Sequence, residues 1–476
     1  MKNVFEILWR LAVLSLPWQT RWFWDAELVG WPWEQGRISI YVSWFFIFLV
    51  AYSGFRRSKS SCHEPGSPFV LAPKRRGLRA NVSRVLTPRF GVAVLLVALS
   101  IIATRLDLDS LRAVGVWWGN VFVLALFVWS LRKNDVRFQQ IAVWLCISLL
   151  PHALLGMWQF VNQEVIASTM LGIASQVPSS LGVSVVESDG VRTLRAYGGF
   201  PHPNIFGGWL VMGSLAAIWL ATRTASVAIR YRWTLIGSLY ASVLVLTFSR
   251  SAMLAFGVAT CVFLFCNLFT IVNRLQKRAV IFSTLFILAI FGATIFLQNE
   301  LIITRVRGDS RLEMKSIESR VESGEAFVEV FHDRLWIGTG PNAELKVLAE
   351  REGITTASAP LEPPHNVYLL ALVNFGIIGT TLIILIILSF RTSIRNPSEW
   401  ILNRVQDDTL IRDSLPAGRQ ARLRRLGMTM LIIPLLIIGL FDHYPWTLWS
   451  GQVFVALTLL GTFGNIPREE ELANST

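Results

Sequence analysis

The chain has 476 residues, of which 53% are apolar and only 16% charged, and its mean hydropathy is +0.51. That balance excludes an ordinary soluble domain and makes a bilayer the expected solvent. The formal charge of +13 would suggest nucleic acid in a soluble protein. Here most Lys and Arg fall in short loops between apolar runs, so the charge reports topology and no nucleic-acid partner is expected.

The N-terminus carries Lys2 and an apolar stretch, yet Arg10 interrupts it and no small-residue cleavage site follows, so a retained first helix is expected. Apolar runs then follow near Val4 to Trp18, Ile38 to Phe55, Phe90 to Ala103, Val114 to Leu131, Ile141 to Phe160 and Ile205 to Ala221. The second half adds Trp233 to Leu246, Ala252 to Phe269, Ala279 to Leu297, Val367 to Phe390, Thr429 to Phe441 and Trp449 to Phe463. Several are shorter than the roughly 20 residues a span needs and must extend into their flanks. The predicted fold is an all-α polytopic membrane protein with about twelve transmembrane helices.

Alternate loops are basic, as cytoplasmic loops should be. The stretch from Arg56 to Arg89 sets many Arg and Lys against Glu64 alone, and Arg132 with Lys133, Arg223 to Arg232, Arg274 to Arg278 and Arg391 to Arg425 repeat the pattern. Both termini are then cytoplasmic, in a bacterial inner membrane. The opposite loops are acidic or mixed, and two are long: Val161 to Asn204, and Gln298 to Asn366. The chain divides on this reading into residues 1–297, holding nine spans; 298–366, a partly helical periplasmic loop covering the site; and 367–476, holding three spans and a basic cytoplasmic insertion at 391–427. That insertion has turn signals at Pro397 and Pro416-Ala417-Gly418 but no metal or phosphate motif, and reads as a solvated or headgroup-binding segment. Cys62, Cys146, Cys261 and Cys266 lie in apolar runs or in a basic loop, so packing is their expected role.

Three motifs fall where helices running inward from the outer face begin: Pro201-His202-Pro203-Asn204, Thr247-Phe248-Ser249-Arg250 and Pro363-Pro364-His365-Asn366. Asn204, Ser249 and Asn366 suit N-caps, and three helix N-termini on one face favour an anion. Arg195, Arg250 and Arg320 lie near them, with guanidinium forks suited to phosphate oxygens. Any one of these taken alone reads as a cap or an interfacial arginine; their coincidence on one face gives them weight. His365, beside Asn366, is a better candidate for proton transfer than His152, which sits inside a span. Asp107-Leu108-Asp109 has carboxylate spacing for a divalent cation, but reads as a solvated loop or as partners for Arg105 and Arg112; no metal or cofactor is expected.

These pieces carry a family resemblance. Arg195-Ala196-Tyr197-Gly198-Gly199-Phe200 runs into Pro203-Asn204, and Thr247 to Arg250 supplies a Ser-Arg element. Arg320 precedes Trp336-Ile337-Gly338-Thr339-Gly340-Pro341, and His365-Asn366-Val367-Tyr368-Leu369 leads to Gly376. In this order, from about Arg195 to Ile378, the chain resembles the O-antigen ligase and polymerase superfamily of bacterial membrane glycosyltransferases. His202 departs from the pattern, and whether it contributes or only caps stays open.

The resemblance implies metal-independent, inverting transfer of a glycan from a polyprenyl diphosphate carrier, such as undecaprenyl diphosphate, to an acceptor hydroxyl on the periplasmic face, as in lipopolysaccharide biosynthesis. Arg195, Arg250 and Arg320 are candidates for stabilising the leaving diphosphate, and His365 for a general base or a positioning group. The acceptor stays open among a lipid A core, another glycan chain and a protein, and so does the choice between a ligase and a polysaccharide polymerase. From other classes, a transporter or flippase needs ionisable groups within its spans, where this chain has almost none apart from Arg10 and His152, and a noncatalytic scaffold leaves the Arg and His constellation unexplained. Within the long loop, Phe327, Phe331 and Leu335 fall at helical spacing while Glu318, Glu322, Glu325 and Glu329 take the other side, predicting an amphipathic helix over Ser310 to Leu335 that ends before Gly338 to Pro341.

Overall fold

A computed structural model describes residues 2–60, 76–224, 226–270, 274–308, 311–358, 360–392 and 431–463. The chain is mostly helical. In the first half the helices are α1 (Lys2–Ser15), α2 (Val42–Ser60), α3 (Arg76–Ala103), α4 (Leu108–Lys133), α5 (Phe138–Asn162) and α6 (Pro203–Arg223). Then come α7 (Val227–Leu246), α8 (Arg250–Thr270), α9 (Arg274–Leu297), α10 (Asn299–Arg307), α11 (Arg311–Asp333), α12 (Glu344–Arg351), α13 (Val367–Thr392), α14 (Ile432–Phe441), α15 (Tyr444–Thr447) and α16 (Trp449–Phe463).

Each of the twelve apolar runs carries a helix, although Thr429 and Met430 lie outside the described residues. Among the described residues six helices, α4, α5, α6, α8, α9 and α13, are long and apolar enough to cross a membrane. The chain is therefore an integral membrane protein. Glu6 lies in the first run beside Arg10, and the two pair at 3.3 Å across one helical turn. The segments 61–75 and 393–430, which hold Cys62 and nearly all of the basic insertion, lie outside the described residues.

Helix α6 is the centre of the bundle, with nearly every residue buried. It packs against α5, α7, α8 and α9, and Phe206, Trp209 and Leu210 sit fully enclosed in the main apolar core. All-round burial explains why this helix is apolar on every face rather than along one stripe.

Three short antiparallel ladders depart from an all-helical expectation. Arg21–Trp24 pairs with Ile38–Tyr41, Glu27–Leu28 with Trp31–Pro32, and Val185–Ser188 with Val191–Leu194. All three lie in connections rather than in the bundle.

The segment after α9 folds back over one end of the bundle. Helix α11 covers most of the range expected for an amphipathic helix, and the buried stripe is set by Phe327 and Val330, both fully buried, with Phe331 and Leu335 half-buried. Glu318, Glu322, Glu325 and Glu329 are exposed. Phe327 and Val330 pack with Leu345 and Leu348 of α12 and Val373 of α13. Full burial of such side chains contributes about 1.5–3 kcal/mol each.

Beyond α11 the chain is joined to α13 by backbone hydrogen bonds. Helix α13 breaks at Gly376, whose φ of 59° and ψ of −170° are open in practice only to glycine. The break frees main-chain groups that pair with the Leu335 to Gly340 stretch. Ile377 N donates to Leu335 O at 2.9 Å, Thr339 N to Val373 O at 2.9 Å and Gly340 N to Asn374 O at 2.9 Å. A Cβ on Gly376 would lie 2.4 Å from the Trp336 carbonyl, and one on Gly338 would lie 2.5 Å from the Asn374 carbonyl carbon, so both positions need glycine.

Candidate active site

The first motif is fixed from two sides. Gln159 of α5 accepts from Tyr197 N and Gly198 N at 3.1 and 2.8 Å and donates to Gly198 O at 2.9 Å. This aims Arg195 inward, where it is 4% exposed. Its Nε donates to Thr247 O at 2.7 Å and its Nη2 to Asn204 Oδ1 at 2.5 Å. Asn204 Nδ2 in turn donates to Asp442 Oδ2 at 2.8 Å, so a single amide bridges a buried guanidinium and a buried carboxylate.

Asn204 therefore does not cap α6. Pro203 occupies the first helical position and has no N–H, which leaves Asn204 N as the first free donor, and His202 Nδ1 accepts from it at 3.1 Å. With Nδ1 accepting, the neutral ring carries its proton on Nε2, 2.9 Å from Ser184 Oγ. Burial holds the His202 pKa well below the usual histidine range, with Arg195 acting in the same sense. His202 is the cap.

The second motif is the turn between α7 and α8. Phe248 is buried at a φ of 48°, and Ser249 precedes α8 with its carbonyl accepting from Met253 N at 2.9 Å. Arg250 Nη1 donates to Arg305 O at 3.0 Å, and its Nη2 stands 3.4 Å from Glu313 Oε2. Arg305, at the end of α10, bonds Glu313 Oε1 directly and reaches Phe248 O at 3.4 Å.

In the third motif Asn366 does cap its helix: Oδ1 accepts from Tyr368 N and Leu369 N at 2.9 and 3.0 Å. His365 faces inward, with Nε2 3.9 Å from Glu362 Oε2 and its buried Nδ1 without a hydrogen-bond partner among the described residues. Its ring meets that of His443 edge-on at 5.1 Å. Ligand atoms of His365, Asp442 and His443 lie within 4.8 Å of one another, a donor set of a kind that can hold a divalent cation.

Electrostatics separates these groups. Burial, assisted by Arg320, brings the His365 pKa down to about 4, and burial with the neighbouring His365 brings that of His443 to about 3, so both rings are neutral near pH 7. Burial pushes the Asp442 carboxyl up to about 6 against the pull of Arg320, Asn204 and Arg195.

Two adjoining cavities meet at these residues. The larger, about 580 Å³, is lined by Arg195, His202, Arg320, His365, Asp442 and His443, with Trp31 and Trp33 on another wall. The smaller, about 330 Å³, is lined by Ser249, Arg250, Ser251, Leu254 and Phe441. Asn204, Arg305, Arg320 and Asp442 line both. Arg195, Arg250, Arg320, Asn204, Ser249 and His365 are thus brought together. Asn366 lines neither cavity.

Sequence reasoning missed Arg305, Asp442 and His443. Asp442-His443 falls in the short link between the last two apolar runs, on the face that alternation assigns to the other motifs, and that was the available signal. Asp107 and Asp109 bind Lys346 Nζ at 2.6 and 3.1 Å rather than Arg105 or Arg112, and Arg112 instead donates to Asp25 O at 2.8 Å. The long Lys346 side chain reaches across from α12, whereas Arg112 lies a turn further along α4 and turns toward the 21–41 loop.

Residues 234–384 match the family described as O-antigen ligase, which supports the resemblance to the O-antigen ligase superfamily. The match takes in Arg250, Arg320, His365 and the Gly376 break, while Arg195 and Asp442 lie outside it. A comparison with curated proteins gives no match.

Proposed function

We propose that the chain is a glycosyltransferase of the outer face of a bacterial inner membrane, moving a glycan from a polyprenyl diphosphate carrier to an acceptor hydroxyl in the manner of an O-antigen ligase. The observation that carries this reading is the convergence of Arg195, Arg250 and Arg320 on two joined cavities that also hold His365 and Asp442. In the smaller cavity Leu254 and Phe441 are 51% and 46% exposed, an apolar mouth suited to a prenyl chain beside cationic walls suited to its diphosphate.

The reaction assigned to this geometry is a single displacement. The acceptor hydroxyl enters through the larger cavity and gives its proton to His365, neutral and with a free ring nitrogen, as its oxygen bonds the anomeric carbon. The bond from that carbon to the diphosphate oxygen breaks with its electron pair leaving on the diphosphate. Charge grows there, where guanidinium groups already stand. Asp442, poised by Arg195, Arg320 and Asn204, receives or relays the proton beside His365.

The His365, Asp442 and His443 donor set is read as acid–base machinery, because Arg195 and Arg320 already act on Asp442 and disfavour a second cation. The same arrangement fits a polymerase of the superfamily. Purified protein incubated with a polyprenyl diphosphate-linked glycan and candidate acceptors tests the reading: product formation that survives EDTA supports it, and absence of transfer to any lipid A core, glycan or protein acceptor refutes it.

A further inference from the structure

Beside the diphosphate site proposed above, a carboxylate of the chain itself stands between two of the arginines that line it. Glu313, in the first turn of α11, is 4% exposed, and Arg305 is 9% exposed. One carboxylate oxygen of Glu313 bonds Arg305 and the other faces Arg250 at 3.4 Å. A carboxylate spanning two guanidinium forks makes the contacts that two phosphate oxygens would make. The surroundings of this pair are cationic: Arg195 and Arg250 from other elements, and Arg320 from α11 itself, all act on Arg305. Without Glu313, four guanidinium groups would share this region with Asp442 and Glu362 as the nearby acids.

Holding so many like charges together is unfavourable unless an anion compensates. A diphosphate brings more negative charge than one carboxylate and can replace it. We propose that Arg305 is a fourth donor-binding arginine and that Glu313 occupies the diphosphate position until the donor arrives and exchanges with it. Glu313 and Arg320 are two helical turns apart on α11, and both line the larger cavity. Leaving the site, Glu313 unpins the start of α11 while Arg320 engages the donor, so donor arrival is sensed by the helix that covers the site. The inference rests on the diphosphate lying at the junction of the two cavities, where Arg305 and Arg320 line both and Glu313 reaches in from the larger.

The test uses the full-length protein in lipid nanodiscs with farnesyl diphosphate as the probe. Glu313→Gln keeps the shape and removes the competing charge, and is expected to tighten probe binding at least about fivefold; Arg305→Ala should weaken it about tenfold or more, with Arg305→Lys between wild type and Arg305→Ala. Because either variant could misfold, hydrogen exchange of wild-type residues 311–317 gives a second readout, expected to speed up when the probe binds.

Unchanged or weaker binding by a folded Glu313→Gln, or slower exchange in that segment on probe binding, would make Glu313 a structural brace and overturn the proposal. Those results leave the transferase reading intact. A wild-type protein that binds no prenyl diphosphate at all would overturn both.

Discussion

Replacing Asp442 by Asn should make the protein more stable and nearly inactive. The carboxyl is fully buried, and its pKa is raised from 3.8 to about 6. A displacement of that size corresponds to about 3 kcal/mol of cost for the ionised form. The sign follows from the direction: with the folded pKa above the unfolded one, the contribution of Asp442 to stability is most favourable below pH 3.8. That contribution is lost as pH rises to about 6, and the full cost is present at pH 7.

An amide at position 442 has no such cost and can still accept from Asn204 Nδ2. Arg195 loses its nearby counter-charge, which offsets part of the gain, so a net stabilisation of about 1–2 kcal/mol is expected at pH 7.5. Thermal unfolding in nanodiscs at pH 5 and pH 7.5 measures this, and the difference between variant and wild type should shrink at the lower pH. Transfer of a lipid-linked glycan, measured in parallel, should fall at least about 100-fold if the carboxylate works with His365. A destabilised Asp442→Asn protein, or one that transfers at the wild-type rate, would refute the reasoning.

Arg320→Ala should lower transfer about 100- to 1,000-fold with little change in abundance, and Arg320→Lys should also be poor because it loses the fork; initial rates at saturating donor decide both. His365→Ala should cost about 100-fold or more, and a wild-type rate would remove it as the base. Transfer by the wild type should decline as pH drops through about 6, where Asp442 takes up a proton, while the lower pKa of His365, about 4, sets no limit there.

Glu344→Gln offers a contrast. This fully buried carboxyl lines neither cavity and is pushed up to about 7 by burial, so the variant should be more stable at pH 8 with transfer unchanged. Gly376→Ala should destabilise by about 1–3 kcal/mol from backbone strain alone, read as a lower unfolding temperature.

Residues were legible in the sequence where one signal sufficed. Arg195, Arg250 and Arg320 showed themselves as arginines on the face where alternation predicts few, and Phe327 declared an amphipathic helix through its spacing. Positions that depend on partners distant in the chain did not. Arg305 stands between Ile302 and Arg311 in an unremarkable basic stretch, and only folding brings it to Glu313. Asp442 acquires its role from Asn204, 238 positions away. Asn204 was misread as a cap because the rule for cap residues ignores the proline before it. Nor did the apolar run around Gly376 disclose its break, since glycine inside such a run fits a tight helix contact equally well.

The backbone pairing between residues 335–340 and 373–378 makes α11 a lever with a fixed pivot. Its far end is stitched to α13, so the displacement proposed for Glu313 would become a rotation about the Leu335 end. At 1.5 Å per residue, Glu313 lies about 33 Å and Arg320 about 22 Å from that pivot. A swing of about 10° therefore carries Glu313 through about 6 Å and Arg320 through about 4 Å, while Trp336 and the pairs beyond it stay in register. Small angular changes at a glycine-dependent joint are converted into side-chain travel comparable to the width of a phosphate group, with the covering segment never leaving the membrane helix to which it is pinned.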